Sequence, residues 1–190
     1  MRRIVVCTNL SLDGVMQAPG RPDEDTRDGF QRGGWAVPYA AMQHIGATIG
    51  TAGGLLFGRR TYEDFFAVWP KRKESPFSAV LDAMPKYVAS CTLHEPLPWV
   101  NSKLLRGEAA TTVAKLKNSD GAHLVVMGSG ELVRALLAAR LVDEFVLLIH
   151  PLVLGTGRRL FGEDGPAVKL QLAGSTTTDK GVVIATYHPA

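Results

Sequence analysis

The stretch GLLFGRRTYEDFFAVWP, residues 54–70, contains a strand, a turn and a helix in seventeen positions. Residues 54–58 are a short apolar run bounded by glycine, the length and composition of a buried strand. Helical spacing follows at once. Thr61 is placed to cap the helix, with Asp64 at the capping-box position, Phe65, Phe66 and Trp69 on the inner face, and Pro70 as the stop.

The same alternation extends in both directions. Residues 4–10 are apolar and β-branched and read as a buried first strand. Residues 38–51 read as a helix, with Ala41, Ile45 and Ile49 repeating at i, i+4 and i+8. Residues 77–84 give another short helix stopped by Pro85, and KYVAS (86–90) a strand. A helix is expected over 109–117 and a strand over 123–127. GSGELVRALLAARL then gives a helix with Leu132, Leu136 and Leu137 on one face. DEFVLLIHPLVLG reads as a strand ended by Pro151 and Gly155. Two further runs meet near Asp179-Lys180-Gly181, which predicts a hairpin. The expected fold is α/β: a mostly parallel sheet with helices on both faces and a C-terminal antiparallel hairpin, in one domain.

Bulk composition agrees. The chain has 190 residues, 46% hydrophobic and 21% charged, with a formal net charge of +3. That size buries enough surface to fold without disulfide or metal. No Lys/Arg stripe follows any expected helix, so nucleic acid is not an expected partner. No apolar run reaches membrane-spanning length, so no membrane partner is expected and a cytoplasmic location is. Cys7 and Cys91 both lie in strand-like surroundings and are expected to be buried, reduced thiols. The five histidines and two cysteines show no metal-ligand spacing, and no metal is expected.

Three segments place a polar or glycine-rich turn at the C-terminal end of a strand, the edge where open α/β sheets bind ligands. Gly58-Arg59-Arg60-Thr61 offers a helix N-terminus and two guanidinium groups, suited to phosphate; a solvated arginine pair fits the same residues. Gly128-Ser129-Gly130 lets backbone approach a pyrophosphate, although it lacks the third glycine of a dinucleotide fingerprint. Ser90-Cys91-Thr92 adds a third such turn. Asp13, after the first strand, is either a turn aspartate or a catalytic acid. Residues 17–34 form a long loop in which Asp23, Glu24, Asp25 and Asp28 read as solvated. Trp35 after it serves as a pocket lid or as an anchor to the core.

These segments resemble the dihydrofolate reductase superfamily, and within it the branch of the C-terminal reductase domain of bacterial riboflavin biosynthesis. The resemblance runs through almost the whole chain. VCTNLSLDGVM is similar to the first strand and following loop, LFGRRTYEDF to the family's Gly-Arg-x-Thr-aromatic-Glu segment, VMGSGELVRALL to its glycine pair, and LVDEFVLLIHPLVLGTGRRLF to the branch's strand, proline and Gly-x-Gly turn.

The resemblance implies NADPH as cofactor. Gly58, Arg59, Arg60 and Thr61 would then hold its 2′-phosphate and pyrophosphate, with Ser90 and Cys91 beside the adenosine. Gly128, Ser129, Gly130, Glu131 and Leu132 would contact the pyrophosphate and nicotinamide ribose, and Thr8, Asn9 and Met16 would line the nicotinamide. The implied reaction is hydride transfer to a C=N or C=O carbon of a small heterocycle, with Asp13, Tyr39 or solvent as proton source. Dihydrofolate reductases carry a buried acid on the first helix; PYAAMQHIGATIG has neither Asp nor Glu, which argues against folate. A riboflavin-pathway pyrimidine reductase and a non-catalytic nucleotide-binding protein or structural dimer are the alternatives. The apolar terminal hairpin, and the habit of the branch, lead to the expectation of a homodimer.

Overall fold

The structure is a computed structural model and describes residues 1–162 and 165–190. Eight strands form one sheet in the order β4-β3-β2-β5-β1-β6-β8-β7. They are β1 (Ile4–Ser11), β2 (Gly54–Gly58), β3 (Lys86–Ser90), β4 (Ser102–Arg106), β5 (Leu124–Met127), β6 (Glu144–His150), β7 (Leu170–Thr177) and β8 (Val183–Pro189). The first six pair in parallel. β7 and β8 form the expected hairpin, and its second strand, not its first, pairs antiparallel with β6.

β1 and β5 are buried along their whole length because helices cover both faces of the sheet. Alternation along β1 divides the core. Val5 and Cys7 pack with Ile45, Phe57, Tyr62 and Val88, while Ile4 and Val6 pack with Val113, Leu132, Val133 and Leu136. The first face carries α1 (Ile45–Gly50), α2 (Arg59–Val68) and α3 (Pro76–Ala83), and the second α4 (Ala109–Lys117) and α5 (Gly130–Ala138). Each fully buried aliphatic side chain contributes about 1.5–3 kcal/mol relative to exposure.

Several expectations change. The helix expected over 38–51 is two 3-10 turns, Val37–Tyr39 and Ala41–His44, before the six-residue α1. Ala40 adopts a left-handed conformation (φ 50°) that interrupts the helix, yet Ala41, Ile45 and Ile49 are all buried as the spacing requires. β4 is a strand not expected above: its SKLLR sequence is polar and only half-buried, as an edge strand allows. α2 starts three residues earlier than a cap at Thr61 would place it, at Arg59 with Gly58 as its cap. Pro70 lies inside a 3-10 turn, Trp69–Lys71, that prolongs α2. On α5, Val133 is buried with Leu132 and Leu136, while Leu137 is only half-buried. No helix among the described residues is long and apolar enough to cross a membrane.

Candidate functional site

The C-terminal ends of β1, β2, β3 and β5 open into a cavity of about 820 Å³. Its floor includes Cys7, Thr8 and Asn9 from β1 and Met127 from β5, and its walls include the turns after β2, β3 and β5. The parallel register sets this convergence: β1 pairs with β5, β5 with β2, and β2 with β3, so three chain turns of distant sequence emerge at one edge. All fourteen residues assigned above to the cofactor line this one cavity.

Two of the turns are bonded to each other. The Gly58 N–H donates to Ser129 Oγ at 3.0 Å. The Ser129 N–H donates to Thr61 Oγ1 at 3.1 Å, and the two hydroxyls lie 2.9 Å apart. Thr61 is therefore a clip between α2 and α5 rather than a helix cap. The glycines flanking Ser129 serve different needs. Gly128 takes a left-handed conformation (φ 56°), whereas a Cβ on Gly130 would meet Met16 Sδ at 2.6 Å. Ser129 itself is left-handed at φ 54° and is held there by the clip.

Of the two arginines, Arg59 is paired with Glu63 at 3.1 Å, one turn along α2. Arg60 has no carboxylate within ion-pair distance among the described residues. Ser90 Oγ accepts from the N–H groups of Thr92 and Leu93, both at 3.1 Å, which fixes the third turn. Cys91, expected to be buried, is exposed just beyond the end of β3, and its thiol donates to the Gly107 carbonyl at 3.2 Å. Cys7 is buried as expected, and burial pushes its thiol up to about 12.

Asp13 is not brought into the cavity. Its carboxylate accepts from Ser11 Oγ (2.7 Å) and from the N–H groups of Leu154 (3.0 Å) and Gly155 (2.8 Å), tying the turn after β1 to the segment after β6. The Leu154 N–H first, then the Ser11 hydroxyl, hold it down at about 2. A carboxylate so engaged has no proton to give at neutral pH, so the geometry replaces the catalytic reading of Asp13 with a structural one. Trp35 is an anchor: it is buried, its Nε1–H donates to the Gln17 carbonyl at 2.7 Å, and its ring meets His150 edge-on.

The long loop contributes more than sequence reading gave it. Asp23 and Asp28 are exposed as expected, but Asp25 is half-buried and paired with Arg27. Arg21 lines the cavity and reaches Asp64 on α2 through both guanidinium nitrogens, at 2.5 and 3.3 Å. Arg27 and Arg158 both approach Glu131 on α5, at 3.9 and 3.5 Å. No spacing rule marks the contacts of Arg21 with Asp64 and of Arg27 with Glu131, which join segments more than forty residues apart. Ala41, Ile45, Phe65, Val68 and Trp69 add an apolar wall to the cavity.

The chain matches the RibD C-terminal domain family over residues 2–184. It is 30% identical over 197 residues to the uncharacterized protein YyaP of Bacillus subtilis (strain 168), covering 98% of this chain and 95% of that one. It is 36% identical over 179 residues to YwjB of the same organism, covering 92% and 91%. Among solved structures, a putative riboflavin biosynthesis protein from Shewanella sp. PV-4 superposes with a TM-score of 0.67 at 23% identity, over 99% of both chains. Dihydrofolate reductase from Enterococcus faecalis, complexed with NADP(H) and RAB-propyl, gives 0.62 at 15% identity, over 98% of this chain and 96% of that one. Acinetobacter baumannii RibD gives 0.66 at 17% identity, over all of this chain and 58% of that one. The fold is thus dihydrofolate reductase-like, and by its sequence the chain belongs to the RibD C-terminal domain family.

Proposed function

We propose that the chain is an NADPH-dependent reductase acting on a small heterocyclic, carbonyl or imine substrate. The observation that carries this reading is the clipped pair of turns, Gly58–Thr61 and Gly128–Gly130, in the wall of one large cavity. The residues fit the cofactor. α2 and α5 both begin at the cavity, and Arg60 is a cation without a carboxylate partner among the described residues. Arg59 and Arg60 would hold the 2′-phosphate, and Ser129 to Leu132 the pyrophosphate and nicotinamide ribose. Family membership and the NADP(H) complex of the similarly folded E. faecalis enzyme support the same assignment.

When bound, NADPH supplies a hydride to an electrophilic carbon. The protein positions and shields. Thr8, Asn9 and Met16 line the end of the cavity assigned to the nicotinamide, and the apolar wall from Ala41 to Trp69 excludes water from a flat ring. The test is a fluorescence and thermal-shift titration with NADPH and NADH. Micromolar NADPH binding is expected, weakened about 10- to 100-fold in Arg59→Ala or Arg60→Ala as one charge-assisted phosphate contact is lost, with NADH affected less. No binding to either cofactor ends this reading.

A substrate screen starts with a ribosylaminopyrimidine phosphate, whose turnover makes the chain a riboflavin-pathway reductase. NADPH binding without turnover of any substrate favours a nucleotide-binding protein. β7 is an open sheet edge with Leu172 exposed, and a second copy would cover it. A monomeric mass by light scattering at micromolar concentration rules out that dimer.

A further inference from the structure

Among the described residues, five carboxyl groups line the cavity: Glu24, Asp25, Glu63, Asp64 and Glu131. Four face an arginine: Asp25 has Arg27, Glu63 has Arg59, Asp64 has Arg21, and Glu131 has Arg27 and Arg158. Glu24 makes no ion pair among the described residues. The two guanidinium groups closest in sequence, Arg21 and Arg27, are occupied, the first by Asp64 and Asp23 and the second by Asp25.

The Glu24 carboxyl is nevertheless fixed. Its Oε2 accepts from the N–H groups of Gly20 (2.6 Å) and Arg21 (3.1 Å), closing a tight turn over residues 20–24. That turn is held in place from both sides. The Gly34 N–H donates to the Ala18 carbonyl at 2.8 Å, the Ala36 N–H to the Pro19 carbonyl at 3.0 Å, and Arg21 is bound to α2 through Asp64. The other oxygen, Oε1, enters no hydrogen bond with the described residues. Among the described residues, one cavity carboxyl is thus oriented by backbone amides through one oxygen and unengaged at the other. Residues 38–51 contribute only Ala40, Ala41 and Ile45 to the lining, and no acid.

We propose that Glu24 is the proton donor of the reduction, delivering a proton from Oε1 to the substrate heteroatom. The proposal rests on the NADPH-reductase reading above. As the reduced nicotinamide's hydride forms a C–H bond at the C=N or C=O carbon, the π pair moves onto the nitrogen or oxygen. That atom takes the Glu24 proton, the nicotinamide is left oxidised, and the Glu24 carboxylate regains a proton from water at the cavity mouth. Burial, and then the neighbouring Asp64 carboxylate, raise this carboxyl above its ordinary range; the two amide bonds and Arg21 oppose them, without reversing the direction. A carboxyl whose titration is moved upward is the direction this step requires.

The first measurement needs no cofactor. In protein carrying ¹³C at the glutamate carboxyl carbon, one resonance is expected to titrate above 4.5, the ordinary glutamate value, and to be absent in Glu24→Gln. Gln keeps an acceptor oxygen for Gly20 and Arg21, so the turn persists. All glutamates titrating at or below 4.5 would overturn the proposal. The second measurement is single-turnover NADPH oxidation with the cyclic imine 3,4-dihydroisoquinoline as probe. The wild-type rate is expected to fall as pH rises through that midpoint. In Glu24→Gln the rate should be about 100-fold lower and lose that pH dependence, with NADPH affinity unchanged. A variant with the wild-type rate and profile overturns the Glu24 assignment alone, whereas a wild type that binds no NADPH overturns the reductase reading beneath it.

Discussion

His150 Nε2 stands 2.9 Å from Asn9 Oδ1, so the last residue of β6 orients an amide in the cavity floor on β1. The His150 ring is fully buried, edge-on to Trp35 and Tyr39 at centroid distances of 5.2 and 5.1 Å. Its Nδ1 has no partner among the described residues, as suits a neutral ring with the proton on Nε2.

Burial pushes His150 down to about 4. Its unfolded value is about 6.5, so the unfolded chain binds the proton first. The stabilising difference is complete above pH 6.5 and is lost as pH falls toward 4. The expected loss from this one group is about 2 kcal/mol by pH 5 and about 3 kcal/mol near pH 4. Urea unfolding at pH 7 and pH 5 should show this step in the wild type and not in His150→Gln. Equal pH slopes in the two proteins would refute the prediction.

Thr61→Val removes the acceptor shared by the Ser129 N–H and hydroxyl while keeping the side-chain volume. Leaving that half-buried N–H unpaired is expected to reduce stability by about 1–3 kcal/mol. The turn after β5 is no longer held against α2, so NADPH affinity should fall with it. Denaturant melts and the cofactor titration measure the two effects separately, and a variant indistinguishable from wild type in both would remove the clip from the account.

Asp13→Asn should lower the melting temperature and leave NADPH affinity unchanged. The native carboxylate, held at about 2 against an unfolded value of about 3.9, stabilises the fold fully above pH 3.9 and ceases to as pH falls through 2. The stability gap between wild type and variant should therefore be widest at neutral pH and close in acid. A gap that widens in acid contradicts this sign.

The two thiols should separate cleanly in native protein. Cys91 is exposed in the wall of the cavity, and Cys7 is fully buried with its thiol held protonated. A thiol reagent at pH 8 is expected to label one cysteine quickly, at position 91, and NADPH should slow that labelling. Fast labelling of Cys7 would mean the cavity floor opens in solution.

The sequence determined the elements that carry strong local signals. GLLFG, KYVAS and the helix over 109–117 lie where their apolar periodicity puts them, and the turns after the two strands line the cavity. Strand order made that possible, since parallel pairing sends every strand's C-terminal end to one edge. Local patterning could not show what each side chain does on arrival. Thr61 has the right spacing for a cap, yet it bonds Ser129, sixty-eight residues away. Asp13 follows the first strand as a catalytic acid would, yet Leu154 and Gly155 occupy its oxygens. Glu24 reads as one more acid in a polar loop, and only the folded loop shows it without an ion pair among the described residues, where the other four carboxyls lining the cavity each meet an arginine. Periodicity is a property of neighbours along the chain and fixes elements. Hydrogen bonding, burial and charge pairing depend on neighbours in space, so the role of each polar side chain was decided by the tertiary structure.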